Sequence, residues 1–111
     1  MPDSKMHSTS TRKLAVIMFT DIVGYTAMME QNEVEALEKV EHYKQLQKEK
    51  VNQFSGEIFK YLGDGSLVLF ESVYHAVECA LEMQLIFQIY PKVPVRIGIH
   101  TGEVLFTCLP K

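Results

Sequence analysis

The sequence predicts an α+β fold in which a four-stranded antiparallel sheet carries two helices on one face. Strand-sized apolar runs and helix-sized amphipathic stretches alternate in the order βαββαβ along the 111 residues, with glycines or prolines between them. The composition, 47% hydrophobic and 23% charged, is typical of a single globular domain that can bury a core without disulfides. This order of elements is the ferredoxin-like sandwich.

The first strand is predicted at residues 14–23, where LAVIMFTDIV is almost wholly apolar and too short for a typical helix. A long amphipathic helix is predicted to follow from about Thr26 to Ser55, with a bend near Gln31 and Asn32. Its apolar positions recur at helical spacing, at Ala36, Val40, Tyr43, Val51 and Phe54.

Two short strands are predicted at residues 57–62 and 66–70. They flank the triplet Gly63-Asp64-Gly65, and glycines beside an aspartate suit the positive φ angles of tight turns. The two strands are therefore expected to form a hairpin.

The second helix is predicted to begin after Ser72, as its N-cap, and to run to about Ile89. Two prolines then end it, and the last strand is predicted at residues 95–106. The residues assigned to the inner side of this helix are Val73, Ala76, Val77, Ala80, Leu81, Gln84 and Phe87.

Charge and cysteine usage exclude several classes of protein. The net charge of −3 argues against a general nucleic-acid partner, which would require many basic side chains. No apolar run approaches the length of a membrane span, so no membrane partner is expected. The two cysteines, Cys79 and Cys108, have neither the number of a disulfide framework nor the spacing of a zinc site. A reducing, cytoplasmic location is expected, with Cys79 in the core.

The topology predicts that two carboxylates lie close together. The end of the first strand and the turn of the hairpin meet at one edge of the sheet, so Asp21 and Asp64 should be neighbours. Two such carboxylates would repel each other unless a cation lay between them, and Mg²⁺ accepts a pair of carboxylates with water and phosphates. Residues 22–26 would add the N–H groups of a helix N-terminus, which favour a phosphate. Alternatively, Asp64 is only a turn residue and Asp21 only a capping residue.

Three segments resemble a known family. Residues 19–26, FTDIVGYT, and residues 56–65, which contain KYLGDG, are similar to the two metal motifs of the class III adenylate and guanylate cyclases, especially the bacterial ones. Residues 96–104, RIGIHTGEV, resemble the strand that follows the second helix in that family. The resemblance covers about residues 13–105, in the same order and spacing.

The resemblance implies a lyase of cyclic-nucleotide signalling that converts ATP to cyclic AMP and pyrophosphate. It implies that Asp21 and Asp64 are the catalytic residues and hold two Mg²⁺ or Mn²⁺ ions, with the Ile22 carbonyl as a further ligand. Lys60 falls at the position that contacts adenine in adenylate-forming members, although it could simply extend from the sheet surface into water. The other residues that the resemblance places at the substrate are Gly24, Tyr25, Thr26 and Gly63.

The resemblance also implies a partner chain. Residues 1–13 are expected to be a flexible N-terminal tail, residues 14–106 a partial cyclase domain, and residues 107–111 an end unlike the family. The later strands that carry a catalytic Asn and Arg in the family are missing, which suggests a C-terminal truncation. A homodimer, or a heterodimer with a complete cyclase domain, is expected, because the family builds its site between two chains. The alternative is a non-catalytic nucleotide-binding or dimerising module.

Overall fold

The computed structural model describes residues 9–89 and 91–108. Within these residues the chain forms four strands and three helices. In chain order they are β1 (Thr9–Ile22), α1 (Tyr25–Gln31), α2 (Glu33–Gln53), β2 (Glu57–Tyr61), β3 (Gly65–Phe70), α3 (Val73–Phe87) and β4 (Val95–Cys108).

The four strands form one antiparallel sheet in the order β2-β3-β1-β4. The predicted ferredoxin-like fold is confirmed, with β1 and β3 at the centre of the sheet. The hairpin between β2 and β3 is also confirmed, and it contains one register shift between Ile58 and Lys60. None of the helices in the described ranges combines the length and the apolar character needed to cross a bilayer.

The β1 strand is longer than the sequence predicts. It begins at Thr9, so residues 9–13 belong to the sheet and not to a flexible tail. This segment is polar, and it is held by ladder pairing with β4, from Thr9 opposite Cys108 to Lys13 opposite Val104. Pairing to β3 begins only at Val16, so the outer halves of β1 and β4 form a two-stranded ribbon among the described residues. Residues 1–8 of the expected tail lie outside the described residues.

The first helical stretch consists of two helices separated by Asn32. The extended backbone of Asn32, with φ −159° and ψ 98°, ends α1. Its side-chain Oδ1 then accepts a hydrogen bond of 3.1 Å from the Glu35 N–H and caps α2. The predicted bend near Gln31 and Asn32 is therefore confirmed, as a complete break.

The core lies between the helices and one face of the sheet. The side chains of Val16, Met18 and Ile22 alternate along β1 and are all buried. The ring of Tyr43 on α2 stacks on that of Phe87 on α3, with 6.0 Å between centroids. Cys79 is fully buried, as predicted, and desolvation raises the pKa of its thiol to about 12.

The buried side of α3 differs from the prediction. The sequence predicts Val73, Val77 and Leu81 on the inner side, but all three are exposed. Apolar residues occupy most of the circumference of α3, so their spacing alone does not identify the side that meets the sheet. The residues that α3 buries are Ala76, Cys79, Met83 and Phe87, which follow one another at intervals of three or four residues and therefore lie on one side of the helix.

We expect Met83→Ala to lower the free energy of unfolding by about 2–5 kcal/mol, because it leaves a cavity in the core. Leu85 lies on the same helix and is 70% exposed, so Leu85→Ala should cost about 0.5 kcal/mol or less. Urea denaturation of both variants measures the difference. Equal losses would contradict the buried side of α3 described above.

Candidate functional site

The end of β1 and the turn between β2 and β3 meet at one edge of the sheet. Asp21 pairs with Gly65 of β3 on one side and with Arg96 of β4 on the other. The next residue, Ile22, donates its backbone N–H to the carbonyl oxygen of Asp64 over 2.9 Å. The prediction that Asp21 and Asp64 are neighbours is therefore confirmed, although Asp64 meets β1 through its backbone.

Two glycines shape the turn that carries Asp64. Gly63 has φ +67°, a conformation that other residues adopt at a cost. Gly65 lies so close to β1 that a Cβ atom there would be 2.6 Å from the Thr20 carbonyl oxygen and 3.3 Å from the Asp21 Cβ. A backbone hydrogen bond of 2.8 Å from Leu62 to Gly65 closes the turn. The close contact between the two motifs therefore depends on the missing side chain at Gly65.

The carboxylate of Asp21 has two different environments. The side chain points to the sheet face away from the helices, because its neighbours Thr20 and Ile22 are buried against them. Its Oδ2 accepts a hydrogen bond of 3.0 Å from Arg96 Nη2, which raises the pKa of Arg96. Its Oδ1 is buried and has no hydrogen-bond partner among the described residues. A buried, unpartnered carboxylate oxygen is costly unless another group binds it.

The donor set at this edge fits a hard divalent cation. Mg²⁺ typically takes one or two carboxylates and fills its other positions with water and phosphate oxygens. Asp21, Asp64 and the carbonyl of Ile22 would provide such a partial set. No group of three or more His, Cys, Asp or Glu side chains suited to a metal occurs among the described residues. Any cation at this edge would therefore share its coordination with water or a ligand.

The turn after β1 presents backbone N–H groups at the same edge. Gly24 adopts the left-handed conformation, with φ 72° and ψ 25°, and forms the N-cap of α1. Its carbonyl accepts a hydrogen bond of 3.0 Å from Met28. No side chain in the described residues caps this helix, and the first N–H groups of a helix lack intrahelical acceptors. Tyr25 and Thr26 belong to that first turn, as the phosphate prediction requires.

A buried polar cluster lies beneath the two aspartates. It consists of Thr20, Tyr43, Gln47 and Ser66, all of which are buried. Thr20 Oγ1 lies 2.5 Å from Tyr43 Oη and 2.7 Å from Ser66 Oγ. Ser66 also donates to the side-chain carbonyl of Gln47. The cluster ties α2 to the strand positions next to Asp21 and Gly65.

Sequence reasoning missed this cluster as a whole, although it placed Tyr43 on the inner side of the helix. The available signal was a Thr directly before Asp21 and a Ser directly after Gly65, each beside an apolar stretch of its strand.

Lys60 lies apart from Asp21. It is exposed on the outer strand β2 and pairs with Leu67 of β3, whereas Asp21 pairs with Gly65. One strand therefore separates Lys60 from β1. Within one chain, the structure therefore does not place the predicted base-contacting residue next to Asp21.

Comparison with known proteins identifies the family. The family model for the adenylate and guanylate cyclase catalytic domain matches residues 7–111. The chain is 31% identical over 102 residues to the putative adenylate cyclase 3 of Rhizobium meliloti (strain 1021), and the match covers 85% of this chain and 17% of that protein.

Two crystal structures are similar in fold and sequence. The adenylate/guanylate cyclase/hydrolase from Silicibacter pomeroyi has a TM-score of 0.77 and 32% identity, covering 88% of this chain and 62% of that one. The guanylyl cyclase Cya2 has a TM-score of 0.73 and 28% identity, covering 86% of this chain and 57% of that one.

The chain belongs to the adenylate and guanylate cyclase catalytic domain family, of class III, as the resemblance implied. It spans about a sixth of the length of the Rhizobium relative and about three fifths of the two crystal structures. The family match extends to residue 111, so residues 107–111 lie within the matched range. The backbone of Thr107 and Cys108 continues the β4 ladder, and residues 109–111 lie outside the described residues.

We expect Gly65→Ala to destabilise the protein by about 1–3 kcal/mol, because its methyl group would overlap the backbone of β1. Gly98→Ala is the matched control, since Gly98 also lies in a strand and a Cβ there would have no neighbour within 4 Å. That variant should be neutral within about 0.5 kcal/mol. Thermal or urea unfolding measures both, and a neutral Gly65→Ala would refute the close contact.

Tyr43→Phe tests the buried polar cluster. We expect a loss of about 1–2 kcal/mol, because the variant removes one buried hydrogen bond and leaves the ring packing in place. Tyr74 is 69% exposed on α3, so Tyr74→Phe should change the free energy of unfolding by less than about 0.5 kcal/mol. If the two variants unfold alike, the hydroxyl of Tyr43 contributes nothing.

Proposed function

We propose that this chain provides the metal-binding half of a nucleotide cyclase site that converts ATP to cyclic AMP and pyrophosphate. One observation supports this most strongly. The hydrogen bond between Ile22 and Asp64 brings two aspartate-bearing segments together, beside a buried Asp21 oxygen that has no partner among the described residues. Membership of the cyclase family supports the proposal that these two aspartates bind metal ions.

In this proposal Asp21 and Asp64 are the catalytic residues, and with the Ile22 carbonyl they hold two Mg²⁺ or Mn²⁺ ions. Bound ions of this kind neutralise phosphate charge and stabilise the attacking and leaving oxygens. The N–H groups of Gly24, Tyr25 and Thr26 would bind phosphate oxygens at the start of α1. Gly63 would let the backbone approach the substrate closely.

The proposed reaction is an internal displacement at phosphorus. The 3'-hydroxyl oxygen of ATP forms a bond to the α-phosphorus, the bond from that phosphorus to pyrophosphate breaks, and the hydroxyl proton is released. The protein's contribution is to position these groups and to stabilise charge. ATP as substrate agrees with a cytoplasmic location and a role in signal transduction, which are part of the proposal.

Lys60 supports ATP over GTP as the substrate. The ring nitrogen N1 of adenine accepts a hydrogen bond, which a lysine ammonium can donate. The corresponding nitrogen of guanine carries a proton and would require an acceptor. Since a guanylyl cyclase is also among the similar structures, the fold does not decide the base.

The position of Lys60 favours a site shared by two chains. It lies on the outer strand, one strand away from the strand of Asp21. A second chain could therefore present its own lysine to these aspartates, in a homodimer or in a heterodimer with a complete cyclase domain. The complete partner would also supply the Asn and Arg of the later strands.

A second candidate function is a non-catalytic nucleotide-binding or dimerising module. It is favoured by the ion pair between Arg96 and Asp21, which already occupies one oxygen of a proposed metal ligand. Calorimetry with Mn²⁺ and a non-cyclisable ATP analogue distinguishes a nucleotide-binding module from a dimerising one. A nucleotide-binding module gives heat that Asp21→Ala abolishes, whereas a dimerising module gives none.

Complementation tests the catalytic proposal. The chain is mixed with an intact class III cyclase domain whose own two metal-binding aspartates are replaced by asparagine. We expect cyclic AMP to form with Mn²⁺, and Asp21→Asn or Asp64→Asn in this chain to reduce the rate by roughly 100-fold or more. Glu103→Gln is the control, because it removes an exposed carboxylate that pairs with Arg12 elsewhere in the sheet. An absence of cyclic AMP in every mixture would contradict a catalytic contribution.

A further inference from the structure

A stripe of exposed apolar side chains runs along α3 on the side away from the sheet. The other side of the helix, at Ala76 and Met83, is fully buried in the core. Five members of the stripe recur at every fourth residue and therefore form one continuous ridge, and a tyrosine lies beside them. We call these residues the outer stripe: Val73, Tyr74, Val77, Leu81, Leu85 and, just after the helix, Ile89.

The outer stripe is large enough to form a specific interface. Its six side chains are 40–70% exposed, which corresponds to roughly 600 Å² of surface, the upper limit for an apolar patch on a typical monomer. Two such stripes packed together would bury about 1,200 Å² in total, which reaches the range of stable protein–protein interfaces. The area of the stripe is therefore what a second copy of the same surface needs.

The charges of α3 favour an apolar partner over a lipid surface. The helix contains two acidic residues, Glu78 and Glu82, and no lysine or arginine. Helices that lie on membranes typically carry basic residues on their polar face. Glu82 already pairs with Lys50 of α2 over 2.9 Å, and Glu78 is half-buried. The outer stripe itself is uncharged, so a partner needs an apolar surface and no compensating charge.

The spacing of the outer stripe makes it complementary to itself. With two copies of α3 antiparallel about a two-fold axis at Leu81, that residue lies opposite the partner's Leu81. Val77 then lies opposite the partner's Leu85, four residues away from the axis on each helix. Glu78 lies opposite the partner's Gln84, so the arrangement places no two carboxylates opposite each other. Every large side chain near the axis therefore meets an apolar one.

We propose that a second copy of this chain docks on the outer stripe and forms an antiparallel pair of α3 helices centred on Leu81. Asp21 points to the sheet face away from the helices, so this pairing leaves the nucleotide edge open. The inference does not rest on the proposed function, and a chain paired through α3 can still share a nucleotide site with another chain. Both contacts together would give assemblies of more than two chains.

Sedimentation velocity on the whole chain, from about 1 to 200 µM, tests the pairing. We expect the wild-type chain to associate with a dissociation constant in the micromolar range, since interfaces of this size without charge pairs are modest. Leu81→Lys should weaken the association at least about tenfold, because two ammonium groups would meet at the axis. Val34→Lys is the matched control, since Val34 is equally exposed on α2, and it should associate like the wild type.

Disulfide cross-linking distinguishes this pair from a dimer formed at the nucleotide edge. Under mild oxidation, Leu81→Cys should form a covalent dimer at least about tenfold faster than Val77→Cys, because the two copies of position 77 would be about 12 Å apart along the helices. A mixture of Val77→Cys and Leu85→Cys chains should cross-link where neither variant does alone. The wild-type chain, oxidised in the same way, controls for Cys79 and Cys108.

Three results would overturn the proposal. A wild-type chain that stays monomeric over the whole concentration range has no such interface. Association that Leu81→Lys leaves unchanged uses another surface, such as the nucleotide edge, and the α3 pair fails while the proposed function stands. A monomer that sediments with phosphatidylcholine–phosphatidylserine vesicles, and loses this binding in Leu81→Lys, uses the stripe on lipid. Unfolding of the Met83→Ala and Leu85→Ala variants is compared in dilute solution, where the chain is monomeric.

Discussion

The site depends on the register in which β1 is held between β3 and β4. In this register the end of β1 meets the Asp64 turn on one side and Arg96 on the other. A slip of one residue would turn Asp21 toward the helices and bring Thr20 to the outer face. The carboxylate would then lie in the core without a cation, which is costly. The register of β1 therefore determines both the pairing of the sheet and the position of the Asp21 carboxylate at its edge.

The buried polar cluster acts on this register from the opposite face. Thr20 and Ser66 are direct partners on β1 and β3, and Tyr43 and Gln47 reach them from α2. These polar groups find partners only when the two strands are aligned as observed, and buried polar groups without partners are costly. An apolar core would pack as tightly but would tolerate a slipped strand more easily. The cluster thus adds specificity directly below the functional edge.

The sequence predicted the features that depend on local patterns. The apolar run of β1, the Asn32 break and the Ser72 cap were readable because each has a local physical cause. The start of β1 was missed because the segment after Thr9 is polar and is held by pairing to a distant strand.

The site also combines features that the sequence predicts with features that it does not. The order of elements predicts that Asp21 and Asp64 are neighbours. The contact between Asp21 and Arg96 depends on the register of β4, which no local pattern specifies. Their roles toward a nucleotide remain predictions.

The outer ribbon of β1 and β4 has a consequence for how the molecule loosens. Among the described residues, the segment from Thr9 to Ala15 pairs with β4 alone, while the segment from Val16 to Asp21 also pairs with β3. Two-stranded ribbons are marginal without a third strand or a covering layer. Fraying should therefore start at the far end of the ribbon and stop near Val16. Amide exchange in the ribbon would then report a motion that leaves the two aspartates side by side.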